Sequence, residues 1–132
     1  MSDENAAIVQ RAFDAYLRGD EDAMFALTAT DIVVTQFPDQ IDVRDYHGHE
    51  GLRHVMTEWI GTWEDWSIEL LQAREVGGLV LARALQRGRG RASGAPMQTE
   101  VAFLFTVRDG LIVRWRMFHS EREALDALEL GG

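Results

Sequence analysis

MQTEVAFLFTVRDGLIVRWRMFH, residues 97–119, decides the fold, because it reads as a β-hairpin from end to end. Two alternating runs, 97–108 and 111–119, flank Asp109-Gly110. Asp-Gly between alternating segments is among the strongest short hairpin signals, since both turn positions can require positive φ. Side chains alternate between the two faces of a strand. In the second run the odd positions (Leu111, Val113, Trp115, Met117 and His119) are more continuously apolar than the even ones (Ile112, Arg114, Arg116 and Phe118), so the odd set is assigned to the interior. With a two-residue turn, Leu104 faces Trp115, Ala102 faces Met117 and Glu100 faces His119. Directly paired residues sit roughly 4.5–5.5 Å apart at Cβ. Val101, Phe103, Phe105 and Val107 then fall on the opposite, outer face. An apolar stripe of that size requires cover, and a homodimer through the sheet is the expected solution.

Working outward, residues 67–76 form a strand, Gly77-Gly78 a tight turn, and a long strand runs from Leu79 into Arg87-Gly88-Arg89-Gly90-Arg91. Ser93-Gly94-Ala95-Pro96 turns the chain into the hairpin. Beyond it a helix spans about Ser120 to Leu128, with Ser120 as cap and Glu123 at capping-box spacing. The first half reads as helical. Ile8, Val9, Ala12, Phe13, Tyr16 and Leu17 make one amphipathic stripe that Gly19 ends, and Asp20 caps a shorter helix carrying Ala23, Met24 and Leu27. Ile32-Val33-Val34-Thr35 is a strand closed by Pro38, and residues 38–48 a polar loop. Leu52, Val55, Met56, Trp59, Ile60 and Trp63 then fall on the apolar face of a third helix. Helices followed by a meander predict an α+β class: a curved antiparallel sheet packed on N-terminal helices, one domain over residues 1–132.

Composition narrows the function classes. The chain has 132 residues, with 22 acidic against 13 basic side chains and a net charge of -9. That balance argues against a nucleic-acid surface, and the short Arg-Gly-Arg-Gly-Arg run reads as a bend in the sheet. Without cysteine there is no disulfide, thiolate metal site or cysteine nucleophile. The N-terminus lacks the order of a signal peptide and no apolar run spans a membrane, so a soluble cytoplasmic protein is expected. His47, His49, Glu50 and His54 cluster in sequence, but they form no compact three-ligand motif, and neither a metal nor a cofactor is expected.

Four stretches in this order resemble the SnoaL-like branch of the nuclear-transport-factor-2-like superfamily. They are the first helix running into Arg18-Gly19-Asp20; Tyr46-His47-Gly48-His49-Glu50-Gly51-Leu52, similar to a Gly-x-Glu opening of the third helix; the long strand ending Arg-Gly-Arg-Gly-Arg-Ala-Ser-Gly; and Val107 to Val113 leading to the terminal Glu-Ala-Leu helix. The resemblance implies a cone-shaped, cystatin-like α+β barrel with a pocket between sheet and helices, and frequent dimers. It implies no single activity, since the superfamily holds steroid isomerases, epoxide hydrolases, polyketide cyclases, dehydratases and proteins without catalysis. Steroid isomerases of this fold use a Tyr and two Asp residues where this chain matches Ala12, Gln36 or Phe37, and Ala102. Relatives also carry an Asp at the last strand's exit, where this chain reads Met117-Phe118-His119-Ser120.

The expected function is a pocket for a small hydrophobic molecule. Two forms are open: a cofactor-independent isomerase, cyclase, dehydratase or hydrolase using general acid–base chemistry, or a non-catalytic ligand-binding or dimerisation module. In the first, His119 is the base or acid and Glu100 orients its ring; otherwise the two form an ordinary cross-strand ion pair. Arg83 and Arg87 either clamp a ligand's carbonyl or carboxylate or lie on the surface with their stems on apolar neighbours. Tyr16, Met56, Trp59 and Trp63 from the helices, with Leu104, Trp115 and Met117 from the sheet, are the expected lining, or simply core.

Overall fold

A computed structural model describes residues 2–37 and 45–129. The elements in chain order are α1 (Ser2–Leu17), α2 (Glu21–Ala26), β1 (Thr28–Thr35), β2 (Asp45–His47), α3 (Gly48–Gly61), β3 (Trp63–Val76), β4 (Leu79–Gly90), β5 (Pro96–Arg108), β6 (Leu111–Phe118) and α4 (Glu121–Glu129). The polar loop expected over 38–48 lies partly outside the described residues; its last part is β2 and the start of α3. Trp63 opens β3, so the third helix is shorter and the following strand longer than the apolar periodicity predicts. No helix among the described residues is long and apolar enough to cross a membrane.

Local chemistry accounts for the ends of these elements. Asp20 Oδ1 accepts from the Ala23 N–H at 3.1 Å and starts α2. Ser120 Oγ accepts from the Glu123 N–H at 3.1 Å, while Glu123 Oε1 accepts from the His119 N–H at 3.0 Å. That is capping-box chemistry whose return bond reaches one residue beyond the cap. Gly48, at φ +74, lets the chain enter α3 against β1, where a Cβ would lie 3.2 Å from the Thr30 carbonyl oxygen.

The six strands form one curved, unclosed sheet in the order β2-β1-β6-β5-β4-β3. From β3 to β6 it is the expected antiparallel meander. The sheet as a whole is mixed, because β1 pairs with β6 in parallel. After β1 the chain crosses through α3 to the far edge and returns by three hairpins, which brings β6 alongside β1 in the same direction. Hairpin signals are local and do not tell which edge an earlier strand joins.

The hairpin register departs from expectation at one residue. Asp109 and Gly110 take φ 54 and 79, the two positive values a two-residue turn requires. Arg108 faces Leu111 and Val107 faces Ile112 as expected, but Thr106 then faces Arg114. Val113 is therefore an extra residue, a β-bulge. Beyond it Phe105 faces Trp115, Phe103 faces Met117 and Ala102 faces Phe118. A one-residue slip exchanges the faces of a strand. Val101, Phe103 and Phe105 accordingly join the main core with Val9, Ile32 and Val55. The stripe read as an outer dimer surface is thus covered within the chain, and the reason for expecting a partner there is removed. The other face carries a second cluster of Leu81, Ala102, Leu104 and Phe118, covered by Ala124 of α4.

Candidate functional site

The concave face of the sheet does not close on the helices. Between α1, α3 and strands β3 to β6 lies a cavity of about 120 Å³. Its floor is Phe103, Phe105, Trp115 and Met117 from the sheet, and its roof is Phe13 and Tyr16 of α1 with Met56 and Trp59 of α3. Phe105 stacks on Trp115 at 6.0 Å between ring centroids, and Phe103 meets Trp115 edge-on at 5.2 Å. Tyr16 stands edge-on to Trp66 at 6.2 Å. Burial pushes the Tyr16 phenol above its ordinary value of 10.0, so the hydroxyl stays protonated and able to donate.

Of Thr28, Gln36 and Gln86 on this wall, Gln86 is the least exposed. On β4 the residues Val80, Ala82, Ala84 and Gln86 share the inner face, and Gln86 is only 3% exposed. Its Oε1 accepts two indole N–H bonds, from Trp59 of α3 at 2.6 Å and from Trp66 of β3 at 2.9 Å. Both donors require the oxygen on that side, which assigns the amide's orientation. The side-chain nitrogen is thereby turned away from the two indoles. Trp115 Nε1 is buried without a hydrogen-bond partner among the described residues. The sequence reading missed Gln86; its signal was a lone polar residue in an otherwise small apolar alternation.

The expected lining is only partly brought together. Tyr16, Met56, Trp59, Trp115 and Met117 line the cavity. Trp63 instead packs edge-on behind Trp59 at 5.5 Å, over Gly88, where a Cβ would lie 3.3 Å from that of Trp63. Leu104 points to the other face and packs under α4, because the Val113 bulge exchanges its side. Arg83 and Arg87 are also on the outer face. Arg83 pairs with Glu100 at 2.6 Å and with Glu121 at 3.6 Å, whereas Arg87 lies 3.9 Å from Glu69.

Glu100 and His119 are not cross-strand neighbours. Glu100 faces Leu85 and turns to Arg83 on the outer face. His119, just past β6, stacks its ring on the cavity-lining Phe37 with centroids 4.5 Å apart. The bulge separates them by shifting the pairing of β5 one residue along β6, which puts Glu100 on the outer face with Ala102 and Leu104. Among the matched isomerase positions, Ala12, Gln36 and Phe37 do line the cavity, but Ala102 lies on the outer face.

The histidine cluster disperses. His49 Nε2 lies 3.1 Å from both Thr28 Oγ1 and the Thr28 carbonyl oxygen, and its ring stacks on Phe25. His54 pairs with Glu58 one turn along α3 at 2.9 Å, as its spacing predicts. Among the described residues no three histidine or acidic side chains converge as metal ligands.

A family model described as the SnoaL-like domain matches residues 9–115. The chain belongs to the SnoaL-like family. Solved structures agree at the level of fold. A nuclear-transport-factor-2-like protein of Burkholderia thailandensis superposes with a TM-score of 0.77 at 24% identity, over 94% of this chain and 96% of that one. A putative SnoaL-like polyketide cyclase of Jannaschia sp. gives 0.76 at 18% identity, over 96% and 91%. A protein of Catenulispora acidiphila with a ketosteroid isomerase-like fold, solved in complex with trimethylamine, gives 0.69 at 19% identity, over 86% and 85%. A search of curated proteins finds no match to this SnoaL-like chain.

Proposed function

We propose that this SnoaL-like protein binds a small apolar molecule, about one ring in size, inside the cone. The observation that carries the proposal is the cavity of about 120 Å³. It is walled by aromatic and aliphatic side chains, and Tyr16 is the sole titratable one among its described residues. An engineered apolar cavity of about 150 Å³ takes benzene, so this volume suits a ligand on that scale. Filling the space should remove binding. Ala12, on the α1 wall and 8% exposed, is the position for the variant. Titration calorimetry with a panel of one-ring compounds should give binding to the native protein and none to Ala12→Phe that remains folded by circular dichroism. A panel without a binder overturns the proposal.

His119 supports a second reading, because its ring rests on Phe37 at the cavity wall. In an enzyme of the cyclase or isomerase kind it would exchange a proton with a ligand reaching past Phe37. Glu100 takes no part in that chemistry, being committed to Arg83 on the other face. His119→Ala that leaves both binding and any turnover unchanged eliminates this reading and keeps the first.

A further inference from the structure

Resting on the reading of the cone as a binding cavity, we infer that its ligand is neutral and carries a hydrogen-bond acceptor, a ketone, aldehyde, ester or amide oxygen, received by the side-chain N–H₂ of Gln86. The argument starts from the amide's two ends. Its oxygen is held by two indoles from two different elements, so the side chain cannot turn over without losing both bonds. The nitrogen is thereby the end of the amide left for the cavity that Gln86 lines, a fixed donor with two hydrogens on a residue that is 3% exposed. A ligand that brings an acceptor to that donor gains a hydrogen bond that a purely apolar one cannot make.

The same wall selects against charge. Among its described residues there is no cation to accompany a carboxylate, which would have to leave water for neutral donors alone. A quaternary ammonium would find aromatic faces, but Gln86 presents the positive ends of N–H dipoles to it. Thr28 Oγ1 is already spent on the Phe25 carbonyl and His49. The fixed amide donor of Gln86 matches a small apolar body with an acceptor oxygen.

Three probes of similar size separate the possibilities: cyclohexanone, methylenecyclohexane, which replaces the oxygen by CH₂, and tetramethylammonium. Each is titrated into the native protein and into Gln86→Met, which keeps the length of the side chain and removes both donors. The Gln86→Met change should weaken cyclohexanone by about tenfold or more, one buried hydrogen bond's worth, and shift methylenecyclohexane less than about threefold. The indole N–H groups orphaned by the substitution affect both probes alike, so the ratio isolates the amide. In the native protein, the ¹⁵N-resolved side-chain N–H₂ signals of Gln86 should move downfield with cyclohexanone and not with methylenecyclohexane. This second measurement stands even where Gln86→Met does not fold. Methylenecyclohexane binding accompanied by unmoved Gln86 signals with cyclohexanone overturns the inference and leaves the cavity reading intact. Binding of tetramethylammonium alone overturns it as well. If none of the three binds, the cavity reading fails and the inference with it.

Discussion

The two faces of the sheet are built from the same strands and do opposite work. On the concave face, Phe103, Phe105, Trp115 and Met117 stand against α1 and α3 around a cavity whose polar groups are neutral. On the convex face the neighbouring residues of those strands are divided. Leu81, Ala102, Leu104 and Phe118 pack under α4, while Arg74, Arg83, Glu100 and Glu121 form a half-exposed charged network beside them. The contrast shows what moves a residue from one role to the other. Glu100 and Val101 are adjacent, yet one pairs with an arginine at the surface and the other is 3% exposed in the core. Arg83, Arg87 and Glu100, expected as clamp and orienter, lie on the convex face, where they face water and other charges.

The comparison breaks most readily at the concave face. Phe103→Ala removes a ring that is 4% exposed and packed against Phe13, Phe105 and Trp115. It should cost about 3–5 kcal/mol in a denaturant titration. A loss below about 1 kcal/mol would mean that Phe103 does not face the helices. Leu104→Ala, one residue away and 1% exposed under α4, should cost about 2–4 kcal/mol. Removing α4 at its start should abolish most of that difference, whereas the effect of Phe103→Ala should survive.

Gly48→Ala sharpens the boundary between β2 and α3, where backbone conformation rather than burial decides. A Cβ at φ +74 and 3.2 Å from the Thr30 oxygen should destabilise by about 1–2 kcal/mol. A thermal melt that does not move would contradict that local geometry. On the convex face the expected effects are smaller. Arg83→Gln breaks the ion pair with Glu100, whose side chains are 33% and 48% exposed. Solvent screening should hold the loss to about 1 kcal/mol or less, and added salt should shrink it further.

The smallest effect is one of pH. The Tyr16 phenol is raised in the folded state by burial, so its contribution is complete below about pH 10 and is lost as pH rises through the folded value. Stability measured above pH 10 should therefore fall more steeply in the native protein than in Tyr16→Phe. Equal slopes would mean that Tyr16 is no more buried folded than unfolded.

The elements were legible in the sequence because their causes are local. Asp109-Gly110 takes positive φ at both positions whatever surrounds it, and the stripes of α1 and α3 declare their buried sides. The β3 to β6 meander, the terminal helix with its Ser120 cap and the membership of Trp59, Trp115 and Met117 in one wall follow from that pattern. What only the tertiary structure decided turns on Val113. A bulge there costs one hydrogen-bonded step and leaves no mark in a pattern already interrupted by Arg114 and Arg116, yet it exchanges every side chain beyond it. Local alternation ranked Leu111, Val113, Trp115 and Met117 as one face. Packing kept Trp115 and Met117 inside and changed their partners, because Phe103, Phe105 and Trp115 can all be buried under the helices only if the strand gains a residue. The same long-range choice set β1 beside β6, gave Glu100 to Arg83 rather than His119, and brought Trp59 and Trp66 onto one oxygen of Gln86. Pairings between distant segments are settled by which arrangement buries the most apolar surface with the fewest unpaired groups, and no stretch of sequence carries that sum by itself.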